Sequence, residues 1–283
     1  MSVDLIVQAE EVASPDLKVL YTVSGASAIA RNDTVAHQAF RLSAANPQTR
    51  PAVDAYCQQA GLDFAFVPAG MKLKDFGLIA MDMDSTLITI ECVDEIADFA
   101  GRKPQVAAVT GRAMRGEIDW PESLRQRVSQ LGGLPESVLQ RVFDDHLKLS
   151  PGATALIDAA KRHGVKLLLV SGGFTFFTDR LKVQLNFDYA FSNVLEIADG
   201  KLTGKVTGPL CDAEGKARHL RETAAALSLP RGRCIAIGDG ANDLKMMAEA
   251  GLSIAYHAKP VVQAEASVAI NHVGLDGVLA LFG

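Results

Sequence analysis

From about residue 75 onward, short apolar and β-branched runs alternate with longer stretches of helical period, an order that few architectures accept other than a parallel sheet flanked by helices. The spacing predicts strands at 76–83, 165–170, 234–237 and 252–255, with helices at 152–163, 174–185, 241–250 and 275–282. The runs are nearly all apolar, as strands covered on both faces must be. The expected fold class is α/β, a doubly wound parallel sheet.

Two segments interrupt the alternation. Residues 91–149 have helical period and little strand character, with breakers at Gly101, Gly116, Gly132 and Gly133, so they read as a helical cap inserted after the first strand. Residues 189–208 alternate either side of Asp199-Gly200, a dipeptide that favours a tight hairpin turn, and read as a small β-ribbon. Residues 1–72 differ from the rest: 17–23 is strand-like, 35–45 and 51–60 are helical, and 62–67 is strand-like. This predicts a small separate α+β domain ahead of a larger one at 73–283.

Composition removes several classes of function. The chain has 283 residues with 28 basic and 33 acidic, a net charge of −5 without a basic cluster, so neither a nucleic-acid partner nor a membrane surface is expected. Its longest apolar stretches, such as 165–170, are far too short for a membrane span. Asp4, Glu10 and Glu11 come early with no basic segment before an apolar one, so no signal peptide is read and the cytoplasm is expected. Cys57, Cys92, Cys211 and Cys234 are far apart, form no C-x-x-C pair and read as reduced thiols; the histidines show no metal-ligand spacing.

The chemistry concentrates where predicted strands end. Asp82 and Asp84, within Asp82-Met83-Asp84-Ser85-Thr86, follow the first strand, where open α/β sheets place their ligands. Buried carboxylates need a partner, and Mg²⁺ is the natural one, because a hard cation takes carboxylate and phosphate oxygens. Alone, such a motif arises by chance in roughly a few per cent of chains of this composition. Three further segments change its weight. Ser171-Gly172-Gly173 ends the second strand and opens a helix, offering a hydroxyl and backbone N–H groups to a phosphate. Lys216 can cancel phosphoryl charge. Gly238-Asp239-Gly240-Ala241-Asn242-Asp243 ends another strand with two more carboxylates. Asp243 stands where a dinucleotide fingerprint needs its third glycine, and Lys216 is followed by alanine rather than Ser or Thr, so neither NAD binding nor a P-loop is expected.

These four segments, in this order, resemble the haloacid dehalogenase superfamily of phosphohydrolases, and with Glu91, Arg127 and the insertion they are most similar to its branch acting on phosphoserine. The resemblance covers about residues 76–283. It implies Mg²⁺-dependent release of phosphate from the small-molecule substrate phosphoserine, and a place in serine biosynthesis. Asp82 would be the nucleophile forming an aspartyl-phosphate, with Asp84 as general acid and then base. Asp82 and Asp239 would be side-chain metal ligands, and Asp84 would add its backbone carbonyl. Ser171, Gly172, Lys216 and Asn242 would hold the phosphate, Glu91 the ammonium and Arg127 the carboxylate; Asp243 and Gly173 would support them, and Met114 and Trp120 would close over the substrate. Arg125, two residues from Arg127, should point elsewhere and serves as an internal control. Some bacterial members carry an ACT-like domain where residues 1–72 lie here, which leaves a regulatory or dimerising module, hence a homodimer, as an expectation. Two rivals remain at this stage: a phosphatase or phosphotransferase for another small phosphate ester, and a receiver-like phospho-acceptor module.

Overall fold

The computed structural model describes residues 2–283, which form two sheets. The larger has the order β11-β10-β9-β5-β6-β7-β8, comprising β5 (Leu78–Met81), β6 (Lys166–Phe174), β7 (Tyr189–Ala198), β8 (Lys201–Thr207), β9 (Cys234–Gly238), β10 (Leu252–Tyr256) and β11 (Val268–Ile270). All its pairings are parallel except β7–β8. Strand β5 lies at its centre, and Leu78, Ile79, Ala80 and Met81 are wholly buried. Helices α7 (Ala153–Arg162), α8 (Thr175–Leu185), α9 (Ala213–Ala226), α10 (Leu244–Ala248) and α11 (Pro260–Glu265) complete this doubly wound layer. Burying each Leu, Ile or Met of β5 contributes roughly 1.5–3 kcal/mol, which anchors the strand end that carries Asp82.

The insertion is helical as expected. It holds α3 (Cys92–Asp98), α4 (Lys103–Met114), α5 (Trp120–Ser129) and α6 (Ser137–Arg141). Asp119 starts α5 by accepting the Glu122 N–H at 2.8 Å, with Pro121 in the first turn. Arg102 ties the start of α4 to the carbonyls of Gln130 and Gly132, so the cap helices share a common base.

The hairpin expected at 189–208 is present, with its turn at Asp199-Gly200, both with positive φ, and β7 also pairs in parallel with β6, so that it extends the main sheet. Three sequence expectations need correction. Residues 17–23, expected as a strand, lie in α1 (Ser14–Ser24), which opens with Pro15 in its first turn and closes on Gly25 at φ +64°. Residues 35–45, expected as a helix, contain β3 (Gln38–Ser43), paired with β1 (Val3–Ala9) and β2 (Ala28–Asn32). The closing segment is a 3₁₀ helix, Leu275–Leu281.

With α2 (Arg50–Ala60) and β4 (Asp63–Pro68), residues 3–68 run β-α-β-β-α-β in an antiparallel sheet of order β2-β3-β1-β4, a ferredoxin-like topology. One face packs on α1 and α2, while Ile6, Ala39, Ala65 and Val67 join the core of the larger layer. Asp63 accepts backbone N–H groups from Asn271, His272 and Val273 at 2.7, 2.8 and 3.3 Å, clipping β4 to the end of β11. Among the described residues no helix is long and apolar enough to cross a membrane.

Candidate active site

At the carboxyl ends of β5, β6 and β9 the chain opens into a cavity of about 440 Å³, roofed by the helical insertion. Asp82, Asp84, Glu91, Arg127, Ser171, Gly172, Gly173, Asp239, Asn242, Met114 and Trp120 all line it. Lys216 and Asp243 do not. They lie wholly buried behind the carboxylate wall, where Lys216 Nζ donates to Asp82 Oδ2 at 2.8 Å and Asp243 Oδ1 at 2.7 Å.

The backbone fixes the acidic residues closely. Asp82 accepts the Met83 N–H on Oδ1 at 2.7 Å, leaving its other oxygen to Lys216. Ser85 adopts φ +54°, and its hydroxyl donates to Glu91 Oε1 at 2.7 Å, turning Glu91 towards the cavity floor. Asp84 Oδ1 accepts the Cys92 N–H at the start of α3 at 3.3 Å. Burial, with the Glu91 charge added, pushes the Asp84 carboxyl up to about 7. Burial also raises Asp82 well above the usual carboxylate range, with Asp243 and Asp239 adding to the push against Lys216. Asp239, raised to about 6 by burial and by Asp243, accepts the Thr86 hydroxyl at 3.3 Å. For Lys216, burial favours the neutral amine, but Asp243 and Asp82 outweigh it and hold the ammonium above its ordinary range.

Opposite the acids, strands β6 and β7 lose register between Val170 and Phe174, a bulge that turns Ser171, Gly172 and Gly173 into the cavity. Ser171 Oγ accepts the Gly173 N–H at 2.8 Å, so its own proton is free to donate. Both glycines are required sterically. A Cβ on Gly173 would sit 2.9 Å from Asp84 Oδ2 and from Met83 Cε, and one on Gly172 would sit 2.8 Å from Trp120 Cζ2. The cap therefore rests its indole directly on the glycine turn. Gly238 is similarly constrained, since a Cβ there would lie 2.5 Å from Asp243 Cγ.

In the roof, the Arg127 side chain forms no hydrogen bond or ion pair among the described residues, and its buried Nε lacks a partner. Burial pulls the guanidinium down from its ordinary range, opposed by Glu91, Asp94 and Asp84. A buried, unpaired guanidinium is costly unless an anion joins it. Arg125 is exposed and faces Glu122, as a control residue should. Met114 lines the cavity yet stays 68% exposed, so it marks the mouth rather than sealing it.

The carboxylates fit a hard divalent cation. Asp82, Asp239 and Asp243 bring one oxygen each within 4.8 Å of one another, a set without imidazole or thiolate, and burial, with Asp243 adding to it, raises the first two carboxyls. Asp243 is the least free of the three, because its second oxygen accepts the Gly240 N–H at 3.0 Å.

Sequence reasoning passed over four residues here. Thr86 belonged to the quoted motif, but its hydroxyl was given no task. Asp94 lies one turn from Glu91 on α3 and lines the same cavity, a spacing that could have found it. Lys259 also lines it, just beyond the carboxyl end of β10, where the strand-end rule applies. Asn193 had no such signal.

With the geometry in place, comparison with known proteins identifies the class. The haloacid dehalogenase-like hydrolase model matches residues 79–248, and the chain belongs to that family. A second model, a domain of unknown function (DUF4072), matches residues 5–53. Among individual relatives, the phosphoserine phosphatase of Polaromonas sp. strain JS666 is 58% identical over 216 residues, covering 75% of this chain and 92% of that protein. A haloacid dehalogenase family hydrolase from Salmonella enterica serovar Typhi superposes with TM-score 0.90 at 34% identity, covering 100% of this chain and 99% of that one. A phosphoserine phosphatase solved as a phospho-aspartyl intermediate analogue gives TM-score 0.69 at 37% identity, covering 74% of this chain and 99% of the other.

Proposed function

We infer that the chain hydrolyses phosphoserine to serine and phosphate. The observation that carries this reading is the cavity itself: carboxylates and the Ser171–Gly173 turn at its floor face the unpaired Arg127 in its roof, with Glu91 between. Phosphoserine has a matching order of groups, a phosphate at one end and a carboxylate with an ammonium at the other. Arg127 can grip the carboxylate with two hydrogen bonds and Glu91 can receive the ammonium. A solvated helix face does not suit Arg127, whose guanidinium Nε is buried without a partner.

In this reading Asp82 attacks phosphorus and becomes an aspartyl-phosphate, which divides one difficult displacement into two easier ones. Its position between the Met83 N–H and Lys216 fixes the attacking carboxylate without a rotamer search. Asp84, its carboxyl raised to about 7, donates a proton to the departing serine oxygen and then takes one from the incoming water. The Ser171 hydroxyl, the Gly172 N–H and Asn242 bind the equatorial oxygens, while Lys216 acts from behind by compensating Asp82 and Asp243. Asp82 and Asp239, with the Asp84 main-chain carbonyl, are the groups that would hold Mg²⁺, and Asp243 orients Lys216. When bound, the ion supplies positive charge against the phosphate and the carboxylates around it.

The test is phosphate release from phosphoserine with Mg²⁺, after chelation, and after Mg²⁺ is restored, run beside phosphothreonine and a sugar phosphate. Sustained, metal-dependent turnover with preference for phosphoserine is expected. One phosphate trapped per chain, or equal use of all three esters, would contradict the reading.

A further inference from the structure

We propose that Asn193 is a positioning residue that locks the phosphate-binding turn to the helix bearing Lys216. This rests on the functional reading above and extends it to a residue that touches neither substrate nor metal. Asn193 is 1% exposed and lies on β7, with both ends of its amide used. Nδ2 donates to the Gly172 carbonyl at 2.8 Å, and Oδ1 accepts the Cys211 N–H at 2.9 Å.

Each partner leads directly into the site. The Gly172 carbonyl belongs to the peptide whose other end is the Gly173 N–H, the group held by Ser171 Oγ at 2.8 Å. That side of the clamp therefore sets the plane of a peptide within the turn. On the other side, Cys211 precedes Asp212, which caps α9 by accepting the Gly215 N–H at 2.8 Å and whose carbonyl accepts the Lys216 N–H at 2.8 Å. Lys216 follows one turn later and reaches Asp82 and Asp243. The register slip beside Ser171–Gly173 removes the ladder bonds that would otherwise hold this backbone. Asn193 gives this backbone one side-chain bond, at the Gly172 carbonyl, and takes a second from the Cys211 N–H, in a buried setting where an unmet carbonyl or N–H is costly. One amide thus sets the distance between the hydrogen-bond donors of the turn and the ammonium behind the nucleophile.

The experiment compares Asn193→Ala and Asn193→Asp with Ser192→Ala. Ser192 is the adjacent β7 residue, paired with Thr178 at 2.8 Å and absent from the cavity wall, so its loss perturbs the same strand without touching the clamp. Turnover of phosphoserine and binding of inorganic phosphate in the presence of Mg²⁺, by calorimetry, are both read. For Asn193→Ala, kcat is expected to fall about 10- to 100-fold with KM moved less, and phosphate affinity to weaken by a similar factor, as misplaced but intact groups do. Ser192→Ala should lower the melting temperature and change neither reading. Asn193→Asp keeps the acceptor for Cys211 and the side-chain size but sets a carboxylate oxygen against the Gly172 carbonyl, so the same two losses are expected; this variant decides if the alanine chain does not fold. Wild-type kcat and phosphate affinity in an Asn193 variant, or equal losses in Ser192→Ala, would overturn the proposal. Failure of the unaltered chain to use phosphoserine would instead defeat the functional reading, with phosphate binding still judging Asn193.

Discussion

At the level of single residues, the site rests on how charge is placed around Asp82. Three side chains share one buried knot in which a single ammonium serves two carboxylates, so removing the central acid does not leave Lys216 without a partner. Asp82→Asn is accordingly expected to fold normally and to lose turnover by about 10⁴-fold or more, checked by melting temperature and steady-state phosphate release. Arg127 presents the opposite case, a half-buried cation whose Nε has no partner. Its replacement by alanine should raise KM for phosphoserine about 10- to 100-fold, in line with a charged hydrogen-bonding group of about 1.5–3 kcal/mol. It should change use of phosphoethanolamine, which lacks the carboxylate, far less, and Arg125→Ala should change neither. These acidic residues and Arg127 were legible in the sequence because their motifs stand at strand ends or match a family pattern. Asn193 was not, because a buried amide bridging two backbone groups 21 and 18 residues away leaves no periodic trace.

The elements show why some of the fold could be read and some could not. Buried parallel strands such as β5 and β9 are short apolar runs whatever their neighbours, so the α/β alternation was visible without structure. In the first 68 residues the same reasoning reversed two elements. The apolar content of 17–23 suggested a strand, yet Pro15 and Gly25 bracket a helix in which Leu20 is buried while Val19 and Tyr21 are exposed. Residues 35–45 read as helical, but pairing with β1 and β2 on either side determines β3. The cap contact was likewise invisible, since it joins Trp120 to Gly172 across the cavity. Because Trp120 is the chain's one tryptophan, its fluorescence reports that contact without ambiguity. Gly172→Ala, which would set a Cβ 2.8 Å from the ring, should shift the emission and reduce turnover by displacing the cap. Unchanged emission and activity would show that the indole does not rest there in solution.

Across the whole molecule, the ferredoxin-like unit and the hydrolase layer share core and polar seams. Asp63 is buried against three N–H groups of residues 271–273, so Asp63→Ala should cost about 2 kcal/mol or more in urea unfolding, an effect of docking rather than chemistry. A second seam joins His37 to Asp276 at 3.5 Å, and this partner holds the Asp276 carboxyl below its ordinary range. A depressed carboxyl adds stability above its unfolded pKa of about 3.9 and forfeits it as pH falls through the lower folded value. The Asp276 contribution should therefore be lost on acidification below about pH 4, and Asp276→Asn should remove that part of the difference in stability between about pH 7 and about pH 3.

The claim on which the rest depends is that Asp82 itself carries the phosphoryl group. The chain mixed with phosphoserine and Mg²⁺, quenched briefly in cold acid during turnover and digested, should show one phosphoryl group, cleaved by hydroxylamine and by base as an acyl phosphate is, on the peptide containing Asp82 and absent from Asp82→Asn. A phosphoryl group on any other residue, or an Asp82→Asn chain that still releases phosphate at the wild-type rate, would contradict it.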